Sequence, residues 1–142
     1  MIQKIINNHK NLNVLYHKLD SVKEDFDFNN IDESFDKIYQ NALQLKQALQ
    51  EHFKFQEKLK NNINKEVDKL VLENLLVRDI LLRLIQKIIE ESNSKNIDMF
   101  VLFDDFYEVF KAYLSKEKGR FFQELKMVTT QDEQNKIKSL LL

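Results

Sequence analysis

Gly119 is the only glycine among 142 residues, and the chain has no proline. Tight turns lean on both residue types and helix interiors reject both, so their scarcity points to long helices joined by short polar loops. The length suffices for one domain with a sizeable core, and no repeat or low-complexity tract divides residues 1–142. A formal net charge of −1 gives no basic footprint for nucleic acid. Without cysteine there is no disulfide, thiolate metal site or cysteine nucleophile. The opening "MIQKIINNHK" mixes polar and apolar residues at helical spacing, unlike a signal peptide. No apolar run reaches the length of a membrane span. A cytoplasmic protein that does not engage membranes is the expectation.

Apolar periodicity divides the chain into four long helices and a short one. The first runs from about Ile2 to Val22, with Ile2, Ile5, Leu12, Tyr16 and Leu19 on one face. After "KEDFDFNN", Asn30 and Glu33 have the spacing of a capping box. They open a second helix whose seam carries Phe35, Ile38, Ala42, Leu45, Leu49, Leu59 and Ile63. The third runs from near Lys65 to about Glu91, its apolar arc centred on Val67, Val71, Leu81 and Ile85. Beyond "SNSKN", the fourth presents Met99, Phe103, Phe106 and Phe110 and continues through "AYLSKEKGRFFQEL". Thr130 and Glu133 of "TQDE" form a second capping-box pattern, ahead of a short helix ending in "KSLLL". An all-α, antiparallel up-down-up-down four-helix bundle with a short C-terminal helix accounts for this order.

The seams also carry polar residues. Asn74 and Arg78 fall in the middle of the third helix's apolar arc, where an unpartnered amide or guanidinium costs several kcal/mol. His9 sits in the first seam, His52 and Gln56 in the second, and Tyr113 and Glu117 in the fourth. In an antiparallel bundle these seven side chains can share one layer and satisfy one another, Arg78 pairing with Glu117. His17, Glu57 and Lys118 lie off the seams and are expected in solvent.

That constellation resembles the hemerythrin/HHE cation-binding family, four-helix bundles whose inward histidines and carboxylates hold a non-haem di-iron centre. "INNHKNLNVLYHKL" looks like the family's first helix, with His9 at its ligand position. "LQEHFKFQEKL" is similar to the second-helix motif, "ENLLVRDILLRL" to the third and "AYLSKEKGRFFQEL" to the fourth. His9 and His52 match family histidines. Asn74, Arg78 and Tyr113 stand where histidines are expected, and Gln56 replaces an acid. Of the fourth helix's acidic pair only Glu117 remains, beside Lys118.

A di-iron centre needs about five neutral imidazoles plus bridging carboxylates, and Arg78 adds a permanent positive charge. The resemblance therefore implies a bundle whose metal site is lost and replaced by a hydrogen-bonded cluster, with no cofactor. Its work would then be that of a non-enzymatic interaction or regulatory module with a protein partner, a second copy of the chain being one candidate. One alternative is an iron- or oxygen-binding protein with unusual ligands, any ion resting on His9, His52 and Glu117. Another is an export-chaperone-like helical protein, its client meeting outward Leu72, Leu75, Leu76 and Ile80. Glycine-rich phosphate loops and nucleophile–base arrangements are absent from the sequence, so an enzyme is not expected.

Overall fold

The structure, a computed structural model, describes the chain from Ile2 to Leu140 and its side chains from Asn7 onward. The side chains of Ile2 and Ile5, assigned above to the first seam, lie outside the described residues, as do Leu141 and Leu142 of "KSLLL". The described residues form helices and short connections, with no strand among them. Helix α1 spans Ile2–Glu24, α2 Ile31–Leu59, α3 Lys65–Glu73, α4 Leu75–Asn93 and α5 Met99–Lys116. A π-helical turn, Glu117–Phe121, leads into α6, Phe122–Met127, and α7 spans Gln131–Leu140. Among the described residues no helix is long and apolar enough to cross a membrane.

The third predicted helix is two. Asn74 closes α3 and precedes α4 with φ −89° and ψ −7°. Its N–H still reaches the Val71 carbonyl at 3.3 Å, and its own carbonyl accepts from the Arg78 N–H at 3.0 Å. The hydrogen-bond ladder is loosened there without being severed. Asparagine is a weak helix former because its side chain competes for nearby backbone groups, which is reason enough for the break.

The caps divide. Thr130 and Glu133 form the reciprocal capping box, each side chain bonding the other's backbone N–H. Asn30 makes no side-chain cap to the backbone; its amide donates instead to the Glu33 carboxylate. Asn64, which no box pattern marks, caps α3 by accepting from the Val67 N–H at 2.8 Å.

Helix α1 packs on α2, α2 on α4 and α4 on α5. Tyr16 brings α1 against α5, its ring 5.1–6.4 Å from those of Phe103, Phe106 and Phe110. These four helices bury one apolar cluster, which includes Leu12, Leu19, Ile38, Leu45, Leu81, Ile85 and Met99. A second cluster, built on Leu59, Val67, Val71, Phe121, Leu125 and Ile137, lies among the end of α2, α3, α6 and α7. Three inward stripes pass from the first cluster to the second through polar residues: His52 and Gln56 on α2, Arg78 on α4 with Asn74 at the α3–α4 break, and Tyr113 and Glu117 after Phe110.

Candidate functional site

The π-helical turn opens at the fully buried Glu117. A π-turn inserts one extra residue into a helix and is found often at functional positions. Gly119, at its centre, is the weakest helix former the turn contains.

Four side chains surround the Glu117 carboxylate. His52 Nε2 lies 3.1 Å from Oε1 and 3.0 Å from Oε2. Gln56 Nε2 and the Tyr113 hydroxyl both donate to Oε1, and the Gln56 amide also reaches the Tyr113 oxygen at 3.3 Å. His9 Nε2 stands 3.3 Å from Oε2, at ion-pair distance but without hydrogen-bond alignment. The α-helical pitch explains two of the pairs, since residues four apart share a face: His52 with Gln56, and Tyr113 with Glu117. His9 arrives from α1.

The electrostatics follow from this shell. Burial alone would push the Glu117 carboxyl up. The hydrogen bond and field of His52, then the contacts with His9 and Tyr113, outweigh it and hold the carboxyl down to about 2. Burial and the adjacent Glu117 charge push the Tyr113 hydroxyl well above its ordinary value, so it remains a proton donor. With its Nε2–H given to Glu117, His52 keeps a buried Nδ1 with no partner.

Five of the seven polar residues read from the seams therefore meet: His9, His52, Gln56, Tyr113 and Glu117. Arg78 and Asn74 do not join them as expected. Arg78 is buried, yet its guanidinium donates to Glu57 at 3.2 Å, a residue assigned above to solvent. The reason is the direction of the head group. The guanidinium carbon lies 5.6 Å from the centroid of the Phe53 ring, and the head group stays largely buried, with one nitrogen turned to the exposed Glu57 and Nη1 without a partner. Glu117 already has its oxygens covered. Asn74 is buried at the α3–α4 break beside Lys116, Arg120 and Phe121, and its amide nitrogen has no partner. Glu57 carried one usable signal, adjacency to Gln56, which places it 100° further round α2. His17, Glu57 and Lys118 are exposed, as read from the sequence.

The donor set does not fit a di-iron centre. Two imidazoles and one carboxylate face inward, and that carboxylate is engaged by hydrogen-bond donors. Among the described residues no group of three or more His, Cys, Asp or Glu side chains is arranged to hold a metal ion. A metal-bound histidine ordinarily gives its second N–H to an acceptor, and His52 Nδ1 has none.

Comparison of the chain with protein-family models, with curated proteins and with solved structures gives no match.

Proposed function

We propose that the chain is a hemerythrin-like, antiparallel up-down-up-down four-helix bundle in which a metal-free polar cluster replaces the di-iron centre. It works as a cytoplasmic interaction or regulatory module and not as an enzyme. The observation that carries this reading is the shell around Glu117. A carboxylate offers about four lone-pair sites, and three hydrogen bonds plus the His9 imidazole occupy its surroundings. The antiparallel arrangement is supported by two contacts at opposite ends of the same helix pair. His9, early in α1, stands 6.3 Å from His52, late in α2, whereas Phe26, after α1, meets Phe35 near the start of α2 at 5.0 Å.

A buried polar layer contributes little net stability but restricts which partners and registers satisfy it. In this reading the layer fixes the bundle and the surface does the work. Leu72, Leu75, Leu76 and Ile80 are exposed around the α3–α4 break, and they supply an apolar face for a protein partner or a second copy. The same face favours a second reading, a client-binding helical protein of the export-chaperone kind. Co-purification of a secreted partner would select it.

The test of the first reading is elemental analysis with a visible spectrum of protein purified without chelators. The expected result is no stoichiometric iron and no oxo-bridged absorption. Two irons per chain would overturn it, and a single ion lost on His52→Ala would replace it with a mononuclear centre on His9, His52 and Glu117.

A further inference from the structure

Away from the exposed leucines, α1, the end of α5, the π-turn, α6 and α7 together line a cavity of about 600 Å³. Lys10 enters it from α1, Lys118 from the π-turn and Lys126 from α6. No aspartate or glutamate lines it. Among the described residues none of the three ammonium groups makes an ion pair or hydrogen bond, although the chain as a whole has 23 acidic side chains for 22 basic ones. Three unpaired ammonium groups around one hollow repel one another, and a multiply charged anion relieves that repulsion.

We propose that this cavity binds a small phosphorylated organic molecule. The volume lies in the usual range for ligand pockets, roughly 300–1,000 Å³. Its wall is lysine without arginine. Lysine ammonium groups bind phosphate as separate point charges, and three of them around one hollow match the multiple charge of a phosphorylated ligand. The Ser115 hydroxyl and three side-chain amides add hydrogen-bonding groups, and Leu114 and Phe122 give an apolar surface for an organic body. His9 belongs both to this wall and to the Glu117 shell, so its ring is a built-in reporter of occupancy. The proposal rests on the cavity alone and stands whether or not the buried cluster holds a metal.

Calorimetric titration of the full chain with ATP, inorganic pyrophosphate and adenosine tests it. ATP is expected to bind saturably at one site per chain, pyrophosphate more weakly, and adenosine not at all. Changing Lys10, Lys118 and Lys126 together to Gln should weaken ATP binding about tenfold or more. All three are exposed, so the fold should survive, which circular dichroism checks. The matched control changes exposed Lys54, Lys58 and Lys60 to Gln, with the same loss of charge and an expected effect within about twofold. In NMR spectra the His9 imidazole signals should move on ATP addition while those of His17 stay fixed. The proposal is overturned if neither ATP nor pyrophosphate binds, if both triple variants weaken binding equally, or if the His9 signals do not respond.

Discussion

Along α5 one inward stripe passes through two kinds of interior. Met99, Phe103, Phe106 and Phe110 meet Tyr16 and the leucines and isoleucines of α1, α2 and α4. One turn further, Tyr113 and Glu117 meet His9, His52 and Gln56. The first interior is held by burial, which is non-directional and adds up with area. The second is held by a few directed bonds whose benefit is largely offset by the cost of removing the groups from water. The apolar half supplies stability, and the polar layer decides which side chains can meet.

The largest effect should come from the apolar half. Phe106 is fully buried and its ring stacks 5.4 Å from that of Phe110. Phe106→Ala should cost about 3–5 kcal/mol in urea unfolding. A loss below about 1 kcal/mol would erase the distinction between the two interiors.

Glu117→Gln probes the other side. It places an amide nitrogen among groups arranged to donate, and it should cost about 2–3 kcal/mol at neutral pH. The cost should depend on pH in a defined direction. Because the folded carboxyl is held down to about 2 from 4.5, the native state favours the ionised form. The wild type's advantage over the variant should be complete well above pH 4.5, shrink as the pH falls and disappear only below about pH 2. Parallel stability curves for the two proteins across that window would mean that the shell does not stabilise the anion.

This contrast also explains what was legible in the sequence. Helical periodicity reports which face is inward, so His9, His52, Gln56, Tyr113 and Glu117 could be placed in one layer from spacing alone. It does not report which way the head group of a long side chain turns, so spacing matches Arg78 with Glu117, whereas the guanidinium meets Glu57. Nor does it see changes of pitch. The π-turn at Glu117 and the break at Asn74 depend on local backbone competition that a uniform 100° step averages away. The capping box at Thr130 was readable because its two bonds are local. The Asn30 pattern has the same spacing, yet its amide turned to Glu33.

Gly119 sharpens the boundary between the two interiors. A methyl group added there meets nothing within 4 Å, and the residue does not have a positive φ. Glycine is therefore not required by space or by a left-handed backbone. Gly119→Ala should stabilise the protein by about 0.4–1 kcal/mol, chiefly by restricting the unfolded chain. A loss of similar size in thermal or urea unfolding would show that the π-turn needs glycine's backbone freedom to present Glu117.

The smallest effect should be the coupling between Arg78 and Glu57. The Arg78 side chain is 7% exposed but its partner is 61% exposed, so water competes for the carboxylate and salt screens the pair. A double-mutant cycle with Arg78→Met and Glu57→Gln should give less than about 1 kcal/mol. Arg78→Met keeps an unbranched apolar chain at a buried position and removes a guanidinium that lies over Phe53 and whose Nη1 is buried without a partner, so that single change should be close to neutral. The parallel cycle with Glu117→Gln discriminates between the two interiors. Arg78 makes no hydrogen bond or ion pair to Glu117, and removing the guanidinium should not resemble the loss of a buried partner. If Arg78→Met instead costs about 3–5 kcal/mol and Glu117→Gln abolishes that cost, Arg78 belongs inside the polar layer, and the separation of a self-contained Glu117 shell from an arginine turned to Glu57 fails.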